Sequence, residues 1–379
     1  MDLTVDQANL TRATRLTSRA TPTRSTLPVL QTVRLEAQNG GLTLTATDLE
    51  VGVTTAIAAN VSTPGTICVP ARLLGEYISQ LPSEPVHLTL KPEGHRLRLS
   101  CGRFVANLAT QDAAEFPALP VGDEARALTL DASRLRQAVA RVAFAAARDD
   151  ARPVLTAVLF DFGPEGLTLA AADGFRLARA RLAGVVAVPQ QLLVPARAVT
   201  ELGRLLGDAE TARLIPTAEN RGVHFVIGGT TLFARLLEGH FPDIERVIPQ
   251  ESKTTVTVET AAFRQAVRVA GLFGGSGDSR PVVLEAASGF LHLRARGDQT
   301  GDAEADVSAE VAGDPQAIAV NTRLLADLLD VVDSARLRLS WSSAQTPIVL
   351  RELDREESAD LFVAMPLSDP SLIRRPVAA

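Results

Sequence analysis

Two periodicities of hydrophobic and polar positions predict strands and helices along the chain. Apolar and polar residues alternate in short runs such as Leu97–Leu99 and Leu167–Leu169, which is typical of strands with one face in water. Other segments repeat their apolar residues at helical spacing, as do Leu135, Ala138 and Val142. The pattern predicts an α+β fold in which helices lie on antiparallel sheet.

The same pattern occurs three times, at a spacing of about 125 residues. An alternating strand followed by a carboxylate that can cap a helix opens each repeat. A period of this length is the size of a domain and far exceeds that of a solenoid unit. We therefore predict three tandem similar domains, each with two helices on antiparallel sheet, at residues 1–122, 123–251 and 252–379, with a tail at 368–379. The landmarks are Leu3–Asp6, Leu128–Asp131 and Val256–Glu259; Leu42–Leu44, Leu167–Leu169 and Leu291–Leu293; and Val69–Arg72, Val194–Arg197 and Val320–Arg323.

Arginine is concentrated on the outward faces predicted for the first helix of each repeat. Residues 6–24, 131–152 and 259–280 together carry a net charge of +6, whereas the net charge of the whole chain is −6. The first helix is expected to bury Leu10, Ala13 and Leu16 and to expose arginine. A repeated basic face fits contact with phosphate groups, and an ordinary solvated helix face is the alternative. In the second and third repeats the outward arginines are Arg134, Arg141 and Arg148, and Arg264 and Arg268.

Composition and motifs favour neither an enzyme nor a metalloprotein. The chain has two cysteines, its five histidines lack metal-ligand spacing, and it contains no nucleotide-binding glycine motif. Asp48, Asp173 and Asp298 recur at the same point of each repeat, and we interpret them as turn or capping residues. We expect no cofactor and no metal. The opening residues do not resemble a signal peptide and no run of about 20 apolar residues occurs, so we expect a cytoplasmic protein.

Several runs resemble the family of bacterial sliding clamps, the β subunits of DNA polymerase III. The resemblance extends in order over nearly the whole chain, and the threefold repeat is also a property of that family. The residues that carry it are Thr26–Leu30, Leu42–Glu50, Ala172–Leu177, Gly239–Asp243 and Val363–Leu367.

The resemblance implies a non-catalytic DNA sliding clamp. Two chains would join head to tail into a six-domain ring around duplex DNA, with helices lining the hole and sheets outside. The ring would bind DNA without regard to sequence and give a polymerase its processivity. Replicative polymerase, clamp loader and repair proteins would bind through short peptide motifs, and the protein would associate with the nucleoid.

Functional residues are assigned by the same resemblance. The residues assigned to DNA contact are Arg24, Arg72, Arg148, Arg152 and Arg197. The peptide-binding pocket is assigned to Leu155, Ala172, Gly174, Phe175, Arg176, Leu177, Pro242, Val247, Val363, Met365, Pro366 and Leu367. Phe104, Leu272 and Phe273 are expected at the dimer interface, and a role in the core is the alternative for each of them.

Two other functions are the alternatives at this point. One is a ring or repeat protein that binds only proteins, its arginines paired with acidic neighbours. The other is a hydrolase that uses the repeated aspartates with a metal. The sequence departs from the family at Ala172, where threonine is common, and at Phe175, where histidine is common.

Overall fold

The computed structural model describes residues 1–38, 40–90, 95–149, 151–273, 280–297, 300–353 and 360–372. Contacts divide the chain into two compact units. One comprises residues 1–136 with 197–236, and the other comprises residues 137–196 with 237–379. Among the described residues no helix is long and apolar enough to cross a membrane. The bounds predicted for the three domains stay a prediction.

Each repeat opens with a strand and a helix, and a second helix follows several strands later. The first repeat contains β1 (Asp2–Val5), α1 (Gln7–Thr17), β2 (Thr32–Gln38), β3 (Gly41–Thr47), β4 (Val51–Ala58), β5 (Asn60–Thr63), β6 (Gly65–Pro70), α2 (Ala71–Ser79), β7 (Val86–Leu90), β8 (Arg96–Cys101) and β9 (Phe104–Ala109).

The second and third repeats follow the same order, but neither has a separate strand equivalent to β5 among the described residues. The second contains β10 (Leu128–Asp131), α3 (Ala132–Val142), β11 (Ala157–Gly163), β12 (Gly166–Ala172), β13 (Arg176–Leu182), β14 (Gln190–Pro195), α4 (Ala196–Leu206), β15 (Thr211–Pro216), β16 (Gly222–Ile227) and β17 (Thr230–Arg235). The third contains β18 (Thr254–Glu259), α5 (Thr260–Gly271), β19 (Pro281–Ala287), β20 (Phe290–Gly297), β21 (Gly301–Gly313), β22 (Ala317–Asn321), α6 (Thr322–Asp330), β23 (Arg336–Trp341), β24 (Ile348–Glu352) and β25 (Leu361–Ala364).

Strands of neighbouring repeats pair directly. The first unit holds a sheet in the order β5-β1-β7-β8-β9 and a second in the order β10-β15-β16-β17-β4-β3-β2-β6. The second unit holds one sheet in the order β14-β11-β12-β13-β25-β24-β23-β18-β21-β20-β19-β22. The first and second repeats are thus joined by β4 and β17, and the second and third by β13 and β25. All of these pairings are antiparallel, so the α+β fold class is confirmed.

The carboxylate that precedes the first helix caps it in two of the three repeats. The Asp6 side chain accepts a hydrogen bond from Asn9 N at 3.0 Å, and Asp131 accepts one from Arg134 N at 2.7 Å. Each bond satisfies a backbone N–H that lacks a partner in the first turn. Glu259 occupies the same place before α5 and makes no such side-chain bond.

The predicted apolar stripes are buried in α3 and α5, but the stripe of α1 includes hydroxyl groups. Thr14 and Thr17 are buried, whereas Leu16, which we expected in the core, is only half-buried. The Thr14 hydroxyl donates to Leu10 O at 3.0 Å and the Thr17 hydroxyl donates to Ala13 O at 3.0 Å. These bonds satisfy the hydroxyls without water, so threonine replaces leucine on this face.

Two arginines that we expected to face outward are not free surface charges. Arg141 is buried in α3, and half-buried Arg264 donates to two carbonyls at the end of α6, Leu329 O at 2.9 Å and Val332 O at 2.7 Å. Gln7 donates to Ile78 O of α2 at 2.8 Å in the same way. Carbonyls at the end of a helix lack the regular bonds of the helix interior and accept side-chain donors readily, so these side chains tie the first helix of a repeat to the second.

Candidate functional site

An apolar row crosses the strands that join the second and third repeats. Leu177 of β13 lies opposite Ala172 of β12 on one side and Val363 of β25 on the other, and Val363 lies opposite Val349 of β24. Directly opposed residues of antiparallel strands project from the same face. Leu177, Val349 and Val363 are buried in one cluster with Ile248, which forms the floor of the candidate pocket.

Exposed apolar side chains adjoin this floor. Phe175 and Met365 lie two residues before Leu177 and two residues after Val363, just outside the strands, and Met365 N donates to Phe175 O at 2.8 Å. Phe175 is 63% exposed, Val247 40% and Met365 36%. Pro242 is exposed, whereas Pro366 and Leu367 are half-buried. Large apolar side chains left in water beside a buried apolar floor are typical of a binding site.

The turn from Asp173 to Arg176 holds this edge of the pocket. Asp173 Oδ1 accepts hydrogen bonds at 2.9 Å from both Phe175 N and Arg176 N. Gly174 has a φ of +90°, and a Cβ there would lie 2.5 Å from the Arg152 guanidinium. Asp48 makes the same turn in the first repeat, where it accepts from Val51 N at 2.8 Å. The turn interpretation is confirmed for these two aspartates, while Asp298 lies outside the described residues.

Arg176 is assigned to the pocket but faces away from it. Its guanidinium donates to Asp173 Oδ2 at 2.9 Å, Asp327 Oδ2 at 2.6 Å and Phe144 O at 2.9 Å, and it lies 5.2 Å from the Phe144 ring centre. Strand alternation places it on the face opposite Leu177. Arg176 therefore positions the turn and does not line the pocket.

Arg152 is assigned to DNA contact, yet the structure places it beside the pocket. Its Nη2 donates to Asp173 O at 2.7 Å, directly next to Gly174. Leu155 is buried in the adjoining 3-10 turn Pro153–Thr156. The position of Arg152 suits contact with a bound peptide, and its role in DNA binding stays a prediction.

Sequence reasoning missed several residues that build the pocket. Val349 and Ile248 lie in its floor, and Ile244 packs against the same cluster. Val349 sits in a run of buried residues on β24 that shows no alternation, and Ile244 and Ile248 lie outside any regular element. One signal in the sequence could have found Ile244. It follows Leu119 by 125 residues, so the two residues hold equivalent positions after the first and second repeats.

The other arginines assigned to DNA contact fall into two groups. Arg24 and Arg148 are exposed, and neither has an ion-pair or hydrogen-bond partner in the part of the chain that the structure describes. Arg72 pairs with Glu76 at 2.7 Å, and Arg197 pairs with Asp48. Arg72 and Arg197 are each the second residue of a helix, α2 and α4, as the repeat requires.

A groove between α1 and α2 joins two of the exposed arginines. It has a volume of about 680 Å³ and is lined by Arg15 and Arg72 together with the hydroxyl groups of Thr11, Ser18 and Ser79. Guanidinium and hydroxyl groups are the donors that most often contact phosphate oxygens. The groove therefore has the chemistry of a phosphate site on the helical face of the first repeat.

The residues expected at the dimer interface are accessible. Phe104 begins β9, the last strand of its sheet, and is 40% exposed, while Leu272 is 74% exposed. Phe273 is half-buried and its N–H donates to Ala270 O at 3.0 Å. Of the predicted tail, residues 373–379 lie outside the described residues.

A buried ionic cluster joins Arg141 of α3 to acidic residues of the third repeat. Arg141 donates to Glu352 Oε1 at 3.0 Å and to Asp360 Oδ2 at 3.3 Å. Burial alone would raise the pKa of Glu352, but the bonds and charge of Arg141 and the N–H groups of Asp333 and Ser334 outweigh it. The pKa of Glu352 therefore lies below its ordinary value.

Metal chemistry finds no support in the described part of the chain. Among those residues no group of three or more histidine, cysteine, aspartate or glutamate side chains is placed to hold a metal ion. Asp48 and Asp173 use their carboxylates for backbone and arginine contacts instead.

Sequence profiles of one family match the chain in three consecutive segments. The profile described as "DNA polymerase III beta subunit, N-terminal domain" matches residues 1–120, the central-domain profile matches residues 129–243, and the C-terminal-domain profile matches residues 245–367. Together they cover nearly the whole chain.

Relatives and solved structures agree with these profiles. A beta sliding clamp from Synechococcus elongatus is 32% identical over 360 residues, which are 93% of this chain and 96% of that protein. The sliding clamp structure from Bacillus subtilis superposes with a TM-score of 0.93 at 25% identity, covering 97% of this chain and 99% of that one. A sliding clamp from Pseudomonas aeruginosa bound to griselimycin gives a TM-score of 0.91 at 28% identity, with coverage of 97% and 99%.

Proposed function

The chain belongs to the DNA polymerase III β subunit family and is a DNA sliding clamp, and on this premise we propose which of its residues close the ring, hold DNA and bind partners. A sliding clamp is a non-catalytic processivity factor. The observation that carries the proposal is the repeated strand pairing, because it leaves one edge unpaired in the first repeat and the equivalent edge unpaired in the third.

Ring closure follows from this series of pairings. β17 pairs with β4, and β25 pairs with β13. The next equivalent strands are β9 in the first repeat and the first part of β21 in the third. Within the described chain, β9 pairs only with β8 and residues 301–308 of β21 pair only with β20. Pairing of β9 with β21 of a second copy completes the series and removes two exposed edges.

The repeat also suggests the register and the charges of this contact. Ala364 of β25 lies opposite Arg176 of β13, and Gly301 follows Arg176 by 125 residues. By the same register Leu108, the buried residue of β9, would lie opposite Gly301 of the second copy. Asn107 would then face Asp302. Because Asn107 lies opposite Arg98 of β8, an arginine of one copy would flank an acidic residue of the other.

Leu272 and Phe273 are the apolar contacts proposed for this interface. Replacing both with serine should give a folded monomer in sedimentation experiments, because burial of these side chains would no longer offset the cost of association. Val186→Ser is the control, since Val186 is 90% exposed and belongs to neither strand. A double variant that stays dimeric would contradict this interface.

DNA binding is proposed to rest on exposed arginines without protein partners. Arg24 and Arg148 would contact phosphates without reading sequence. Replacing either with glutamine should weaken binding equally on every duplex and lower the slope of log affinity against log salt by about 0.9. Arg72→Gln should have a smaller effect because Arg72 already pairs with Glu76.

Topology provides the decisive test of the ring. A clamp loaded on covalently closed circular DNA should be retained and should escape after the circle is linearised. Equal retention on both forms would refute encirclement. Loss of binding on both would favour the protein-only scaffold, whose arginines serve ion pairs such as Arg197 with Asp48.

The pocket at Leu177 and Met365 is proposed to bind short apolar peptide motifs of the replicative polymerase, the clamp loader and repair proteins. Its support is the buried floor with exposed Phe175, Val247 and Met365 around it. Methionine adapts to different side chains because its thioether repacks at small cost. Through its hold on DNA, the protein would associate with the nucleoid.

A further inference from the structure

A polar cavity adjoins the apolar pocket on the same face of the second unit's sheet. It has a volume of about 440 Å³ and lies over β18, β23 and β24, with Arg338, Arg351, Thr255 and Ser340 among its lining residues. The segment Pro249–Ser252 forms one wall, and Val247, two residues earlier, belongs to the apolar pocket. Val349 contributes to both sites, since it lines the cavity and lies in the cluster of Leu177.

Arginines lie one pleat away from the apolar floor. Arg351 and Arg179 follow Val349 and Leu177 by two residues on their strands, so they project from the same face. Arg338 lies opposite Arg351 on the neighbouring strand. Three guanidinium groups thus run beside the pocket floor, parallel to it.

The positive charge of this row is incompletely matched. Arg179 pairs with Glu245 at 2.5 Å, whereas Arg338 and Arg351 have no ion-pair partner among the described residues. Glu251 and Glu310 stand on the cavity walls, and neither pairs with these two arginines. Burial lowers the pKa of Arg351, and the charges of Arg179 and Arg338 lower it further, while the charge of Glu245 opposes them in part.

Building on the proposed function of the pocket, we propose that this cavity binds the acidic flank of a partner's peptide motif. Carboxylates would pair with Arg338 and Arg351 while the apolar part of the same motif occupies the neighbouring pocket. Planar guanidinium groups favour carboxylates, and the hydroxyls of Thr255 and Ser340 offer further donors. Partners with acidic residues beside their apolar anchor are therefore preferred over partners with neutral flanks.

The choice of a peptide over nucleic acid follows from the side of the sheet. α5 and α6 pack on the opposite side, where Leu337, Leu339 and Leu350 of the same strands are buried. In the proposed ring the helices face the duplex, so the arginine row faces away from it. Acidic peptide is the polyanion that can reach this face.

The test uses the full-length protein and labelled synthetic peptides. One peptide carries a Leu-Ala-Leu-Phe anchor with an Asp-Asp-Glu-Asp flank, on either side of the anchor in separate versions, and its match carries Ser-Gly-Ser-Gly. At low salt the acidic flank should raise affinity about tenfold, and added salt should remove the gain. The double variant R338Q/R351Q should lose this gain and bind the neutral peptide within twofold of the unmodified protein.

Arg323→Gln is the matched control, because it removes the same charge from α6 and Arg323 does not line the cavity. It should leave the acidic gain intact. The inference is overturned if the gain persists in R338Q/R351Q, if the acidic flank adds nothing, or if R323Q loses the gain equally.

A second measurement separates this inference from the pocket itself. Failure of the neutral peptide to bind would count against the apolar pocket. Hexaglutamate has no apolar anchor, so its binding, measured by calorimetric titration, reports on the cavity alone. Its binding should be several-fold weaker in R338Q/R351Q, and equal binding to both proteins overturns the inference. Duplex DNA affinity should be the same for both, and a selective loss of DNA affinity would assign the cavity to nucleic acid and overturn it.

Discussion

The two joints between repeats share one strand topology but differ in what fills their surface. Gly52 of β4 lies opposite Phe233 of β17 at the first joint, and Leu177 of β13 lies opposite Val363 of β25 at the second. Gly52 and Leu177 are 125 residues apart and hold equivalent positions. With a glycine at one joint and a leucine at the other, the following linker packs differently on the sheet.

At the first joint the linker closes over the glycine. A Cβ on Gly52 would lie 2.9 Å from Leu119 Cδ1, so Leu119 occupies the space that a side chain would need. At the second joint Leu177 holds that space, and Ile244, 125 residues after Leu119, packs beside it. Val247 and Met365 are left exposed. Leu119 thus fills at the first joint the space that Leu177 fills at the second.

The joints also differ in the burial of their charges. Arg19–Glu201 at the first joint has side chains that are 33% and 13% exposed. Arg141–Glu352 at the second joint has side chains that are 3% and 1% exposed. Water screens the first pair and hardly reaches the second. Two arginine–glutamate pairs should therefore contribute unequally to the free energy of unfolding.

The largest effect is expected from Glu352→Gln. It leaves the buried Arg141 guanidinium without its main counter-charge, which should cost about 3 kcal/mol of unfolding free energy. Urea denaturation followed by circular dichroism measures this. The matched control is Glu201→Gln at the first joint, and equal losses in the two variants would contradict the comparison.

The stability of the protein at acidic pH should also show the contribution of the buried pair at the second joint. The pKa of Glu352 is lowered in the folded protein, so its stabilising contribution is present above the ordinary carboxyl pKa and is lost as pH falls through the folded value. Stability of the unmodified protein should therefore fall more steeply in acid than that of E352Q. Parallel pH profiles would show that Glu352 contributes little.

Gly52→Leu should come next in size. The new side chain would displace Leu119 from the sheet, and overpacking of this kind costs about 1–3 kcal/mol. Gly41→Ala serves as the control, because its Cβ would meet its nearest atom at an ordinary 3.5 Å. Thermal unfolding that is unchanged in Gly52→Leu would refute the role of glycine in closing the first joint.

Met365→Ala should reduce peptide affinity by about tenfold or more. The substitution removes a few apolar groups worth about 0.8 kcal/mol each when a ligand buries them, with little salt dependence. Fluorescence anisotropy with an apolar peptide measures the loss. Val186→Ala changes an exposed apolar residue outside the pocket and should bind the peptide normally. Retention on circular DNA should be unchanged in both variants.

The smallest effect is expected from Arg19→Ala at the first joint. Partly exposed ion pairs contribute about 0.2–1 kcal/mol, and salt weakens them. Denaturation at low and high salt should show a small loss that disappears as ionic strength rises. A salt-independent loss as large as that of Glu352→Gln would show that the ion pairs of both joints contribute equally to stability, against the comparison.

Local patterns were sufficient for much of the fold. Stripes such as Leu135, Ala138 and Val142 are buried as predicted, and Asp6 and Asp131 cap helices. Capping and amphipathic burial depend on residues a few positions apart, so a single segment contains the information. The positions of the pocket residues Leu177, Val363 and Met365 came from family resemblance and not from periodicity.

What only the tertiary structure decided involves partners far apart in the chain. Arg141 and Glu352 are 211 residues apart, and the sequence pattern placed Arg141 on a wet face. Arg152 meets Asp173 because a turn with Gly174 leaves room for it. The sequence by itself determined three repeats, the α+β class and the basic helices, since these follow from spacing along the chain. Side chains from other repeats decided which arginines are neutralised and which joint keeps exposed apolar residues. The reason is that desolvation and ion pairing depend on distance in space.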